Sequence, residues 1–296
     1  MRDANEILEK ILTRLNLASV ADESDRSVDW PETLEPESWF MAPELISLYG
    51  TPTYDALDEK ERQRLSFFEA MNFFSLNVHG EKALVSGLSE RLYRQNGRRG
   101  SSLRIRGYDD YLHHFLAEEN HHMSWFGGFC ARYGKGLYPD KKVAFPSEDA
   151  AEGEEEFLFF SKILIFEEIV DAYNVRCAKD ERLHPLIRRI NALHHRDETR
   201  HLAFGRQVVQ ATFEYGSRHW DAQILERVRN YLLAYLDSTW KEYFNPQVYT
   251  DAGILGNALA LRREAFGHTA SLERRMRIER PCLDFFYKNG MLESTP

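Results

Sequence analysis

Long stretches of helical hydrophobic period, with carboxylates and histidines set into their apolar stripes, constrain this chain more than anything else in it. Glu-x-x-His occurs twice, in Glu118-Glu119-Asn120-His121-His122 and in Asp197-Glu198-Thr199-Arg200-His201, each time with an acid directly before the Glu. At i and i+3 on a helix, Glu and His leave the same face and can hold one metal ion. The stripe around the first copy reads Leu112, Phe115, Leu116, Glu119, His122, Met123, Phe126. The stripe around the second reads Ile187, Ile190, His194, Glu198, His201, Gly205, Val208. A carboxylate on such a face is costly unless something pairs with it, and a metal ion does. Two such helices packed together, each joined by a Glu from another helix, hold two metals.

The segments that carry these stripes are bounded by Pro and Gly breaks at Pro31–Pro52, Gly97–Gly107, Tyr133–Gly153, His184-Pro185, Tyr215-Gly216 and Asn245–Gly253. Between them the period predicts helices over 57–96 (with Gly80 or Gly87 as candidate kinks), 108–133, 154–180 and 185–214, and two or three more after residue 217. The segment 154–180 is apolar on every side until Glu167-Glu168, as a buried helix would be. No strand is expected, VAFP at 143–146 being too short, and no linker divides the chain. We therefore expect one all-α domain over 1–296, its metal-binding bundle at about 57–214 and its C-terminal helices at 217–292.

Composition narrows the function classes. Net charge is −9, which argues against a nucleic-acid partner. Cys130, Cys177 and Cys282 form neither a zinc pattern nor a disulfide framework, so reduced thiols and a cytoplasmic location are expected. The N-terminal MRDANEILEKILTRLNL is charged and amphipathic rather than a signal peptide, and no apolar run is long enough for a membrane.

Candidate ligands follow from helical phase. Glu119, His122, Glu198 and His201 come from the two motifs. His194, one turn before Glu198, puts a third candidate on that helix. On the first bundle helix Glu81 and Glu69 compete; they stand about 18 Å apart along a straight helix, so only one serves the site, and the stripe Leu84, Val85, Leu88 favours Glu81. On the third, Glu167 and Glu168 are nearly equal by periodicity. A metal-bound imidazole usually donates its other N–H to a carboxylate. Asp197 is the candidate for orienting His122, Glu118 for orienting His201, and Arg200 for pairing with those acids. Tyr173 and Asn77 fall near the ligands by phase. His79, His113, His114, His121, His184, His195, His219 and His268 have no partner at ligand spacing or point off the ligand face. Arg98, Arg99, Arg104 and Arg106 read as a solvated turn at which a carrier protein could dock.

The order Glu81, then Glu119-x-x-His122, then a Glu at 167 or 168, then His194-x-x-x-Glu198-x-x-His201 resembles the di-iron N-oxygenases of the p-aminobenzoate N-oxygenase family (AurF-like, CmlI-like) over roughly residues 40–290. His194 carries most of that resemblance, because DETRH alone is common to ferritin-like proteins. The stretch Phe244-Asn245-Pro246 to Gly253 adds to it. The resemblance implies a ferritin-like four-helix bundle with additional N- and C-terminal helices. It favours Glu167, at 27 residues before His194, with Glu168 in reserve. It further implies two iron ions cycling between Fe2+ and Fe3+, O2 as co-substrate, and N-oxygenation of a small-molecule primary amine to hydroxylamine, nitroso or nitro product. Electrons must come from an external donor, a ferredoxin or a flavin reductase, since no G-x-G-x-x-G is present. A homodimer is expected. The competing readings are the same site acting in C–H hydroxylation, desaturation or oxidative C–C cleavage, a non-enzymatic iron store, a structural bundle, and a zinc hydrolase on His194, Glu198 and His201.

Overall fold

The computed structural model describes residues 4–22, 25–35, 37–93, 106–140 and 150–293. Arg98, Arg99, Arg104 and the VAFP stretch lie outside them. Four long helices form the bundle: α3 (Glu59–Tyr93), α4 (Tyr108–Tyr133), α5 (Glu154–Lys179) and α6 (Pro185–Gly216). Before them come α1 (Ala4–Val20), a 3-10 turn at Pro43–Leu45 and the short α2 (Pro52–Asp55). After them come α7 (Ala222–Glu242), α8 (Pro246–Asp251), α9 (Ala258–Gly267) and α10 (Thr269–Lys288). The fold is all-α; among the described residues the one β-type contact is an isolated bridge between Trp39 and Leu183. Helices after residue 217 exceed the two or three expected, because the Pro and Gly breaks enclose short helices of their own. Asn245, read as part of a break, caps α8 by accepting from the Gln247 N–H at 3.1 Å, with Pro246 at the first helical position.

Within the bundle α3 pairs with α4 and α5 pairs with α6, while α4–α6 and α3–α5 contacts close the square. Helix α5 also receives α7 and α10 on its outer side. Neighbours on every side explain why its sequence is apolar all round. Helix α1 lies on α4 and α6.

Gly80 and Gly87, candidates for a kink, do not interrupt α3. A methyl group at Gly80 would overlap the Phe166 ring, and one at Gly87 the Phe159 ring. Both glycines are therefore close-approach points for α5 aromatic rings, and Gly80 sits next to Glu81 just as Phe166 sits next to Glu167. At the other end, Gly153 precedes α5 with φ of 80°, a left-handed conformation that an L side chain rarely adopts. The three cysteines are buried and free. Among the described residues no helix is long and apolar enough to cross a membrane.

Candidate metal centre

Each bundle helix delivers a carboxylate to one point in the core: Glu81 from α3, Glu119 from α4, Glu167 from α5 and Glu198 from α6. Three imidazoles join them, His122 from α4 and His194 and His201 from α6, and every one of the seven residues is at most 2 % exposed. Glu198 Oε1 lies 2.9 Å from His194 Nε2, 3.1 Å from His201 Nδ1 and 3.6 Å from His122 Nδ1. Glu119 Oε1 is 3.0 Å from His201 Nδ1 and 3.6 Å from His122 Nδ1. Glu81 Oε1 is 3.5 Å from His194 Nε2 and 4.0 Å from His122 Nδ1. Donor atoms converge tightly enough for metal binding in Glu81/His122/His194, in Glu119/His122/Glu198 and in Glu167/His194/Glu198. Glu198 and the two histidines shared between these groups tie them into one cluster.

Helical phase accounts for the convergence. The i, i+3 spacing places Glu119 beside His122 and Glu198 beside His201, and the i, i+4 spacing brings His194 onto Glu198. The competing acids are engaged elsewhere. Glu69 accepts from the Ser47 backbone N–H at 3.0 Å and from the Ser47 hydroxyl. Glu168 is bound by the Arg206 guanidinium, whose Nε lies 2.8 Å away.

The outward nitrogens of the imidazoles are held as well. His122 Nε2 is 3.1 Å from Asp197 Oδ2, and His201 Nε2 is 2.8 Å from Glu118 Oε2. Arg200 donates to both acids, at 2.6 Å to Glu118 and 2.7 Å to Asp197. Three contacts had escaped the sequence reading. Arg26 reaches Asp197 at 2.6 Å across 171 residues, and Asp22 faces both Arg26 and Arg200. Nothing in the sequence announces that segment's return to the site. The third is the amide of Asn174, whose Nδ2 is 2.8 Å from His194 Nδ1. Ligation through Nε2 places the imidazole proton on Nδ1, and the amide oxygen rather than its nitrogen then faces the ring. Asn174 lies two turns after Glu167 on the same face of α5, a signal that phase counting could have caught. Of the residues predicted to lie near the ligands, Asn77 is fully buried and Tyr173 is buried one wall away, against Phe73. His121 stacks on Trp125 and His79 meets the Tyr138 carbonyl, both off the cluster.

Burial, reinforced by the charges of Glu119 and Glu198, pushes the Glu81 carboxyl well up. Burial and the same two carboxylates push Glu167 up too. Burial also opposes ionisation of Glu119 and Glu198, but His122 holds Glu119 down and His201 with His194 holds Glu198 further down. Burial opposes charging of His122, yet Glu119 and Asp197 raise it to about 9. His201 rises well above its ordinary value against burial, through Glu198 and Glu118. His194 is lowered by burial and by the His122 charge.

The donor set passes a simple test of fit. Both oxygens of Glu81, Glu119 and Glu167, together with Glu198 Oε2, His122 Nδ1 and His194 Nε2, are buried without a hydrogen-bond partner among the described residues. Unsatisfied buried acceptors at that density are rare in folded proteins. Their four carboxylates balance two divalent cations, and mixed carboxylate and imidazole donors suit iron or manganese. Against known proteins, a family model described as P-aminobenzoate N-oxygenase AurF matches residues 5–288. No curated protein matches the chain.

Proposed function

The chain belongs to the p-aminobenzoate N-oxygenase family of di-iron enzymes, and on that premise we propose that it N-oxygenates a small-molecule primary amine with O2. One observation carries the reading: seven carboxylate and imidazole donors converge, and six of them, the added His194 included, have a buried polar atom without a hydrogen-bond partner among the described residues. Glu81, Glu119, His122, Glu167, His194, Glu198 and His201 would hold two iron ions; Glu198 faces all three imidazoles. The ions would supply O2 activation, since iron in a carboxylate and imidazole site offers open positions and a change of oxidation state.

The rest is the work of the chain's own residues. Asp197 and Glu118 fix the ring planes of His122 and His201 and keep the proton on the outward nitrogen, which leaves Nδ1 free to ligate. Asn174 does the same for His194 through a neutral amide, so that ring is a weaker donor than the other two. Arg200 and Arg26 neutralise the two outer acids. Burial of the whole cluster excludes bulk water, which protects an oxidising site from side reactions. An external one-electron donor of ferredoxin or flavin-reductase type, a cytoplasmic location, a homodimer and a carrier-bound form of the amine belong to the same reading.

The test is to load the protein with Fe(II) without air, count iron per chain, add O2 and screen primary amines by product mass. Two irons per chain and products heavier by oxygen on nitrogen support the proposal. Two irons and O2 uptake with products oxidised on carbon would move the chain to hydroxylation, desaturation or C–C cleavage at the same site.

A further inference from the structure

Helix α7 packs on α5, and oxidisable rings gather at its C-terminal end. Tyr243, immediately after α7, is buried, and its hydroxyl has no hydrogen-bond partner among the described residues. Its ring lies 4.9 Å from Tyr173 and 5.5 Å from Trp240. Rings also join Tyr243 to a candidate ligand: Phe73 lies 6.4 Å from Tyr243 and 6.5 Å from Phe126, and Phe126 lies 4.9 Å from the His194 imidazole. Trp240 donates its Nε1–H to Glu279 Oε2 at 2.6 Å, and Glu279 is partly exposed. Tyr243 also shares the wall of a cavity with Glu69, Asn72, Tyr173 and Arg274; at about 10 Å³ it has room for one water.

We propose that Tyr243 and Trp240 form a redox relay that drains oxidising equivalents from the metal centre to the surface when no amine is bound. The relay rests on the O2-activating function proposed above. Tyr243 gives one electron to the centre oxidised by O2, and its phenolic proton crosses the cavity to the Glu69 carboxylate, leaving a neutral phenoxyl radical. Trp240 then gives one electron to that radical, Glu69 returns the proton, and the Tyr243 O–H bond re-forms. The indole N–H proton of Trp240 passes to Glu279. An external thiol then gives one electron to Trp240 and its own proton to water, and the indole nitrogen takes its proton back from Glu279.

The placement of the two carboxylates supports this order. A ring that lost an electron and kept its proton would be a buried cation, which is costly. Trp240 has its acceptor in direct hydrogen bond, and Tyr243 lines the same small cavity as Glu69. Burial, partly offset by the bonds from Ser47, brings Glu69 to about 7, which suits it to take a proton and give it back near neutral pH.

The experiment loads the full chain with Fe(II) without air, counts iron, then adds O2 with no amine present. It follows O2 uptake, the electron paramagnetic resonance of frozen samples, and oxidised residues by peptide mass spectrometry. Wild type should take up O2 and show a tyrosyl radical, with oxidation at Trp240. Tyr243→Phe removes a hydroxyl with no hydrogen-bond partner among the described residues, so iron count and O2 uptake should persist while the radical is lost. Trp240→Phe should lengthen the lifetime of the radical, a change that a purely structural role would not produce. Iron binding and O2 uptake without a protein radical, a wild-type signal in Tyr243→Phe, or an unchanged lifetime in Trp240→Phe would overturn the relay and leave the oxygenase reading standing. Iron binding with no O2 uptake would sink that reading, and the relay with it.

Discussion

Replacing Glu69 by Gln should make the protein more stable at pH 8 and leave it almost unchanged at pH 4.5. Glu69 is buried, bonded to Ser47 and carried by burial from 4.5 to about 7. An acid with a raised folded value keeps its proton where the unfolded chain has lost it. Folding then takes up a proton, and stability falls as pH rises from 4.5 to 7 and stays low above. The difference of roughly 2.5 units, at about 1.4 kcal/mol per unit, puts the loss at about 3 kcal/mol. Gln carries no charge, and its side-chain oxygen can accept the same two bonds from Ser47. The difference in stability between Gln and Glu should therefore climb from near zero at pH 4.5 toward about 3 kcal/mol by pH 8.

Urea unfolding of both proteins, metal-free and across that range, measures it. The buried cluster titrates in both, so only the difference between the curves reports Glu69. Parallel curves, or a Gln variant that loses ground as pH rises, would refute the reasoning. Either result would mean that Glu69 is ionised in the folded state near pH 5 and that its bonds from Ser47 outweigh its burial.

Glu81→Ala and Glu167→Ala should each lower iron per chain, while Glu168→Ala should keep it, since Glu168 serves Arg206; metal analysis decides, and equal losses at 167 and 168 would dissolve the ligand set. Asn174→Ala should weaken iron binding by roughly 10–100-fold in chelator competition, and Asn174→Asp should restore it, because only an acceptor on Nδ1 keeps Nε2 of His194 free to ligate. Gly80→Ala should cost about 1–3 kcal/mol through overlap with Phe166 and lower iron affinity by parting α3 from α5 beside Glu81 and Glu167; wild-type unfolding and iron content would refute it.

Periodicity made the bundle legible because each candidate ligand sits on a stripe whose other members are core. Glu119 shares its stripe with Phe115 and Phe126, so the packing that buries those rings also buries the carboxylate. Choosing between adjacent acids took more than phase. Glu167 and Glu168 are separated by about 100° of helical rotation, small enough for either to face the core of a helix buried all round. Arg206, five residues along α6 from His201, is what claims Glu168.

What stayed hidden is what depends on contacts between distant segments. Arg26 lies in a loop with no periodic pattern, and its partner Asp197 is identified only once α1 has been laid on α6. The partner of His194 was hidden for another reason. Carboxylates before Glu119 and Glu198 advertise the partners of His201 and His122, because an acid beside a motif invites that role. An amide in the middle of α5 invites none. Yet a third carboxylate on His194 would have raised the acids around the cluster from six to seven against the two dications proposed. A neutral acceptor orients the third ring without adding another buried charge to the core. The amide at 174 is therefore the chemistry one expects where a third imidazole is added to a site whose charge is already balanced.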